Sequence, residues 1–204
     1  MSTDDKRRRT LFNGTDLTGW EGDPVLWSVR DGMIIGRNVD PVATSSYLFT
    51  TDIFRDFRLT LQVRQTYGPE VSTMHSAVAA VGQRFVDGGD PYGFRGQLLM
   101  FCGDWGIFDA YGRSRVVPGD QKGFWEHPAE RRGEWNAIEI LIIGDRIRMA
   151  ANDELLFDHT DEPGRLRAGP IGLQLHANDR RQEFSFRDLV IAEEPSDQLL
   201  VGTS

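Results

Sequence analysis

The stretch Phe57-Arg-Leu-Thr-Leu-Gln-Val63 decides the fold class of this chain. Its apolar residues alternate with polar ones, so one face of the segment is apolar and the other is polar. A period of two residues is typical of a β-strand that packs one face on a core and exposes the other to water. Phe57 to Val63 is therefore predicted to be a half-buried strand.

The segment from Trp135 to Ile143 differs, because apolar residues occupy both of its faces. This pattern is typical of a strand in the centre of a sheet. The dipeptides Gly144-Asp145 and Asn152-Asp153 then predict tight turns into two further strands, Arg146 to Ala150 and Glu154 to His159. Three strands with such short connections form an antiparallel meander.

The whole chain is predicted to be an all-β protein: an antiparallel β-sandwich with jelly-roll topology. Its 22 glycines and nine prolines are scattered, as expected for many short strands joined by turns. Phe184 and Phe186 lie at even positions while Leu189 and Ile191 lie at odd ones, which predicts either a bulge between them or a switch in which face of the strand is covered. We expect a flexible N-terminal arm at residues 1–9, a single sandwich domain at 10–193 and a loose tail at 194–204.

The composition excludes several partners. The net charge of −8 over 204 residues argues against nucleic acid or an anionic membrane and favours a neutral or cationic ligand. Lys6-Arg-Arg-Arg9 is interpreted as a solvated basic tail. Cys102 is the only cysteine, so neither an internal disulfide nor a cysteine-based zinc cluster can form. Without a secretory signal or a run of roughly 18 apolar residues, we expect a cytoplasmic protein.

Candidate site residues occur as polar pairs on predicted strands. In Gly169-Pro-Ile-Gly-Leu-Gln-Leu-His176, alternation places Gln174 and His176 on one face, opposite an apolar face. The alternative is a solvent-facing pair without a function.

Two further pairs lie in the middle of the chain. Arg95 and Gln97 share a strand face, and Asp109 and Tyr111 share another. Together with Gln174 and His176 they predict a mixed acid–base and hydrogen-bonding site. The structural alternative is a buried ion pair of Arg95 with Asp109 that holds two strands together.

Several enzyme classes lack their motifs in this sequence. It contains no His-Glu-x-x-His, no Gly-x-Ser-x-Gly and no glycine-rich phosphate loop. Ordinary glycoside hydrolysis uses two carboxylates that flank the bond. Asp109 is a candidate for one, but the sequence suggests no second.

Ordered motifs give the chain a resemblance to a known family. They are Leu11-Phe-Asn-Gly-Thr-Asp-Leu-Thr-Gly-Trp20, Trp27-Ser-Val-Arg-Asp-Gly32, Phe54-Arg-Asp-Phe-Arg-Leu-Thr-Leu61, Gly133-Glu-Trp-Asn136, Gly169 to His176 and Glu183-Phe-Ser-Phe-Arg-Asp-Leu189. Over residues 11 to 192 the chain resembles the 3-keto-disaccharide hydrolase domain. The resemblance implies a concanavalin-A-like sandwich that acts on glycosides with a ketone at carbon 3.

A ketone at carbon 3 acidifies the hydrogen on carbon 2, so a base can remove this hydrogen and give an enolate. Elimination of the group on carbon 1 then gives an enone, to which water can add. With the chemistry that the resemblance implies, we assign His176 or Asp109 as the base, Arg95 as stabiliser of the enolate oxygen and Tyr111 as proton donor. Gln97 and Gln174 would orient sugar hydroxyls.

The remaining predicted ligand contacts are His75, Trp105 and Trp125, the tryptophans by stacking on a sugar face. A divalent metal held by His75, His176 or Asp109 is an alternative electrophile to Arg95. A separate sugar 3-oxidoreductase would supply the keto-sugar, and pairing of edge strands would allow a homodimer.

Two non-enzymatic functions stay open. The same fold suits a non-catalytic carbohydrate-binding module. His75-Ser-Ala77 departs from the Asn-Ser-Gly that the family often has, which leaves open a structural sandwich whose site has decayed.

Overall fold

The computed structural model describes residues 7–67, 75–87, 89–101, 106–110, 114–117, 129–162 and 167–200. Within these ranges every regular element is a β-strand. In chain order the strands are β1 (Arg8–Thr10), β2 (Trp20–Glu21), β3 (Trp27–Arg30), β4 (Met33–Asn38), β5 (Ser46–Thr50), β6 (Phe57–Tyr67), β7 (Ala77–Asp87), β8 (Asp90–Met100), β9 (Ile107–Asp109), β10 (Ser114–Val117), β11 (Asn136–Ile143), β12 (Arg146–Ala151), β13 (Glu154–Thr160), β14 (Gly172–Leu175) and β15 (Gln182–Glu193).

The strands form two antiparallel sheets that pack face to face. Sheet A has the order β13-β12-β11-β6-β15-β4-β3, with β1 paired to β15. Sheet B has the order β10-β9-β8-β7-β14-β5-β2. The predicted all-β, antiparallel jelly-roll sandwich is confirmed.

The core between the sheets follows from strand alternation. Phe57, Leu59, Leu61 and Val63 of β6 are all buried in one apolar cluster that also includes inward-facing residues of sheet B. Strand β11 lies between β6 and β12, which confirms the central position predicted from its two apolar faces. Burial of apolar area at about 25 cal/mol per Å² makes this cluster the main stabilising element.

The predicted phase slip near the C-terminus is a β-bulge. The register of β15 against β6 shifts between Arg187 and Val190, and Asp188 has φ 54°. The extra residue lets Phe186 and Leu189 both enter the core although their parity differs.

The predicted turns of the meander are also present. Asn152 and Asp153 have φ 48° and 69° in the connection of β12 to β13. Asn tolerates this left-handed conformation better than most residues. The Asn152 side chain also accepts a hydrogen bond from the Ala137 backbone N–H at 3.0 Å, which ties the turn to β11.

The described residues near both chain ends contact sheet A, and the predicted arm at 1–9 and tail at 194–204 stay predictions, since residues 1–6 and 201–204 lie outside the described ranges. Residues 8–10 form β1, which pairs with β15. Residues 194–200 pack on the outer side of sheet A: the Leu200 backbone N–H donates to Glu139 at 2.9 Å, and Arg148 pairs with Asp197. Glu139 itself forms a buried ion pair with Arg58 at 3.0 Å. The tail therefore covers part of this buried ion pair.

In the part of the chain that the structure describes, no helix is long and apolar enough to cross a membrane.

Candidate functional site

The candidate site lies on the outer face of sheet B, the face directed away from sheet A. Leu48, Val78, Leu99 and Leu173 point inward and join the core with sheet A. Their neighbours in sequence alternate to the other side, where a second apolar cluster forms from Tyr47, Phe49, Ala77, Ala79, Phe94, Leu98 and Met100, with Phe108 and Ala110 packed against it.

A cavity of about 640 Å³ opens on this face. Its volume lies within the range of small-molecule pockets. The lining residues are Ala43, Thr44, Ser45, Tyr47, His75, Phe85, Gly93, Phe94, Arg95, Leu98, Met100, Phe108, Ala110, Gln174, His176 and Ala177. Among the described lining residues none is acidic.

The strand register arranges these side chains in rows across the sheet. The pairing of Gly172 with Ala79 and of Leu173 with Val78, continued along both strands, brings His176 opposite His75. The next row contains Tyr47 opposite Gln174 on β5 and β14. The row beyond it contains the apolar pair Leu98 and Phe108 on β8 and β9. The cavity is thus polar near the histidines and apolar toward β9.

His75 and His176 form a contact pair at the polar end. Their ring centroids are 4.0 Å apart and the rings are tilted by 36°. Burial, and then the charge of His176, lower the pKa of His75 to about 3. Burial also lowers the pKa of His176 from its usual value. Both imidazoles are therefore neutral near pH 7 and able to accept a proton.

Gln174 is held firmly beside this pair. Its side-chain Nε2 donates to the Tyr47 hydroxyl at 3.2 Å, and its backbone carbonyl accepts from the Ser76 hydroxyl at 2.7 Å. Its Oε1 is buried and has no hydrogen-bond partner among the described residues. The side chain of Gln182 fixes the backbone of His176 by donating a hydrogen bond to the His176 carbonyl at 2.6 Å.

Arg95 also lines the cavity, although it is exposed. Its guanidinium carbon lies 4.4 Å from the centroid of the Phe85 ring. The structure thus brings four sequence-predicted residues to one cavity: His75, Arg95, Gln174 and His176.

Two other predicted site residues do not join them. Gln97 pairs in register with Ala80 and Asp109, and Ala80 points into the core between the sheets. Both side chains are buried on that inner side and are absent from the described cavity lining. The expected shared face of Arg95 and Gln97 is wrong, since Arg95 lines the cavity and Gln97 does not. Gly96 lies between them on β8 with φ 156°, a conformation that interrupts the regular alternation of side chains along this strand.

The inner side has its own polar cluster. Gln97 Nε2 lies 3.4 Å from each carboxylate oxygen of Asp161, and Arg167 pairs with Asp161 at 2.9 Å. The Glu162 backbone N–H also donates to Asp161 at 3.0 Å. A buried carboxylate with a guanidinium and two N–H donors is stabilised as an ion pair, which gives this cluster a structural role.

Tyr111, Trp105 and Trp125 lie outside the described residues, so their predicted roles stay predictions. The metal hypothesis loses one ligand, because Asp109 lies on the inner side of sheet B while His75 and His176 lie on the outer side. The described residues contain no group of three or more His, Cys, Asp or Glu that could hold a metal ion.

The sequence analysis did not identify Tyr47 or the apolar wall of the cavity, which is formed by Phe94, Leu98 and Phe108. The segment Tyr47-Leu-Phe49 does alternate, which places Tyr47 and Phe49 on one face. Only the register of β5 against β14, however, brings Tyr47 to Gln174. The wall residues Phe94, Leu98 and Phe108 look like ordinary core residues in the sequence.

The fold and the site together define a jelly-roll domain with a cavity on the outer face of sheet B. The chain belongs to the family of 3-keto-alpha-glucoside-1,2-lyase-like domains, whose model matches residues 7–192. The resemblance seen in the sequence motifs is thereby confirmed. A comparison with curated proteins gives no match.

Solved structures share the fold. A candidate glycosyl hydrolase from Parabacteroides distasonis is 18% identical with a TM-score of 0.65, over 95% of this chain and 97% of that one. The carbohydrate-binding module CBM66 from Bacillus subtilis is 15% identical with a TM-score of 0.59, over 86% and 96%. The exoplasmic domain of VIP36, in a form bound to Ca²⁺ and Man3GlcNAc, is 10% identical with a TM-score of 0.60, over 94% and 90%. These similarities show the concanavalin-A-like fold alone.

Proposed function

We propose that this protein cleaves glycosides whose sugar carries a ketone at carbon 3. The observation that carries the proposal is the pair of neutral imidazoles, His75 and His176, in a cavity without a described acidic lining residue. Such a cavity suits proton abstraction by a base, and its described lining does not contain the two carboxylates of ordinary glycoside hydrolysis.

The reaction begins at the hydrogen on carbon 2. His176 accepts this proton, and the C–H electron pair moves into a C2–C3 double bond while the ketone becomes an enolate. The enolate then reforms the ketone, a C1–C2 double bond forms and the C1–O bond breaks. The leaving oxygen takes a proton. Addition of water across the new C1–C2 double bond gives the 3-keto-sugar and completes a net hydrolysis.

His176 is assigned as the base because its imidazole lines the cavity and burial lowers its pKa, which keeps the ring unprotonated near neutral pH. Its carbonyl is anchored by Gln182, which fixes the backbone from which the ring projects. A base with a lowered pKa remains unprotonated at neutral pH, where it can act. Asp109, the alternative base in the sequence, is not supported, since it lies on the inner side of sheet B.

The remaining roles go to other polar groups that line the cavity. Arg95 at the cavity wall carries the charge that an enolate oxygen requires. Tyr47 is proposed as proton donor to the leaving oxygen, the role that the sequence assigned to Tyr111. Gln174 is proposed to orient sugar hydroxyls through its buried Oε1. A sugar 3-oxidoreductase is proposed to supply the substrate by oxidising the hydroxyl on carbon 3.

The second candidate function is non-catalytic carbohydrate binding. Its support is the fold shared with a carbohydrate-binding module over most of both chains. The same cavity would then hold an unoxidised sugar, and the histidine pair would serve only as a hydrogen-bonding surface.

A matched pair of substrates tests the proposal. Purified protein is incubated with 4-nitrophenyl α-glucoside and with its 3-keto derivative, and nitrophenol is measured against a blank without enzyme. Release from the keto-glycoside alone is expected. Equal release from both substrates contradicts the ketone-dependent mechanism, and binding of the plain glycoside without any turnover supports the module instead.

A further inference from the structure

We propose that the cavity contains a separate subsite for an apolar aglycone, formed by Phe94, Leu98, Met100 and Phe108 on β8 and β9. The inference rests on the proposed function, since it names the kind of group that leaves from carbon 1. The substrate class is 3-keto-glycosides with an aromatic or other apolar aglycone.

The first argument is the segregation of the lining residues by strand. Ser45, Tyr47, Gln174 and His176 lie on or beside β5 and β14, whereas the charged residue Arg95 lies on β8. The apolar residues Phe94, Leu98, Met100 and Phe108 lie on β8 and β9, on the far side of β7. β7 itself contributes Ala77 and Ala79 to this face. Two halves of different chemistry suit a ligand with two different halves.

The second argument concerns the energetic cost of placing a sugar on the apolar half. A second sugar ring has hydroxyl groups around its edge, and each one that loses water without gaining a partner costs free energy. Leu98, Met100 and Phe108 have no hydrogen-bonding side-chain group beyond the weakly accepting Met100 sulfur. An aromatic aglycone loses little on transfer to this wall and gains from apolar burial.

The third argument concerns accessibility. Phe108 is only partly buried, although it packs against the apolar cluster of this face. Met100 beside this row has a flexible, polarisable side chain that adapts to ligands of irregular shape. Further along β8, Arg95 lies over the ring of Phe85 on the neighbouring strand β7. Phe94, Leu98 and Met100 are buried, so Phe108 is the wall residue that presents most apolar surface to a ligand.

The test compares aglycones of similar leaving ability, so that binding is separated from chemistry. The 3-keto derivatives of benzyl, methyl and glucosyl α-glucosides are compared by KM and kcat. We expect the benzyl compound to have a KM about tenfold or more below that of the methyl compound, at similar kcat. An equal KM for benzyl and methyl compounds, or the lowest KM for the glucosyl compound, overturns the proposal.

A matched pair of variants locates the subsite. Phe108→Gln is expected to remove most of the benzyl advantage while turnover of the methyl compound remains. Ile53→Gln, an apolar residue 68% exposed outside the cavity, is expected to leave both unchanged. If Phe108→Gln keeps the full benzyl advantage, the proposed wall is wrong.

Calorimetry with unoxidised benzyl and methyl α-glucosides separates this proposal from the proposed function. If keto-glycosides are not turned over but the benzyl glucoside binds about tenfold more tightly, and Phe108→Gln abolishes the difference, the apolar subsite stands and the catalytic proposal fails. If turnover is ketone-dependent but no benzyl preference exists in binding or KM, the subsite fails and the catalytic proposal stands.

Discussion

The imidazole rings of His75 and His176 lie 4.0 Å apart between centroids, although the two residues are distant in sequence. They meet because β7 and β14 are neighbours in sheet B and their register continues to the positions just beyond the paired residues. Each ring is largely removed from water, and this burial lowers the pKa of both. The pair is therefore the centre of the proposed chemistry and also a source of pH-dependent stability.

Replacement of the base is the first prediction. His176→Asn is expected to lower kcat on a 3-keto-glycoside by about 10²–10⁴-fold, because the amide cannot accept the proton from carbon 2. The matched control is His159→Asn on β13 of sheet A, a histidine outside the cavity lining, which is expected to retain turnover. Steady-state kinetics on both variants checks this; equal losses in the two variants would point to a general loss of structure.

Stability should depend on pH through His75. Its pKa is about 3 in the folded protein and near 6.5 when unfolded, so the unfolded chain binds the extra proton between these values. The stability that depends on a neutral His75 is fully present above pH 6.5 and is lost as the pH falls toward 3. Over this range the free energy of unfolding is expected to fall by at most about 1.4 kcal/mol per pH unit. Urea unfolding of wild type and His75→Asn from pH 7 to 4 measures it. The variant is expected to lose less stability on acidification, and parallel curves would contradict the account.

The Tyr47 hydroxyl gives a third prediction. Tyr47→Phe removes the acceptor of the 3.2 Å hydrogen bond from Gln174, so the free energy of unfolding is expected to fall by about 1 kcal/mol. Loss of the proposed proton donor is expected to lower kcat by about 10²-fold. Tyr67→Phe is the control, because Tyr67 is 43% exposed on sheet A and contacts Arg181 through its ring. An unchanged kcat in Tyr47→Phe would remove Tyr47 from the mechanism.

The fourth prediction separates structure from catalysis at Asp109. Asp109→Asn is expected to keep kcat near the wild-type value, because the residue faces the inner side of sheet B and not the cavity. Its burial predicts a loss of about 1–3 kcal/mol in the free energy of unfolding. Denaturant titration and kinetics on one preparation test both. A large loss of kcat without a loss of stability would restore Asp109 as the base.

The fold could be predicted from the sequence because its signals are local. Alternation in Phe57 to Val63, two apolar faces in β11 and turn residues such as Asn152 each act within a few positions. The bulge at Asp188 could also be predicted, since Phe186 and Leu189 are both apolar but would lie on opposite faces of a regular strand. The contact of Leu200 with Glu139 could not be predicted, because it joins residues that are distant in sequence.

The site was only partly predictable, because it depends on how strands distant in sequence pair with each other. Alternation correctly places Gln174 with His176 on one face, but it does not say which face of another strand lies beside them. That depends on register and on local irregularities, such as Gly96 with φ 156°, which interrupts the alternation of β8 between Arg95 and Gln97. Tyr47 entered the site only through the pairing of β5 with β14.

The fate of the hydrogen on carbon 2 tests the central claim most directly. A 3-keto-glycoside with deuterium at carbon 2 is turned over in ordinary water, and the 3-keto-sugar product is examined by mass spectrometry. Labelled 3-keto-sugar incubated alone for the same time corrects for spontaneous exchange. The account predicts that the deuterium is lost to solvent during turnover, because His176 removes it before the C1–O bond breaks. Full retention of the deuterium in the product would contradict it.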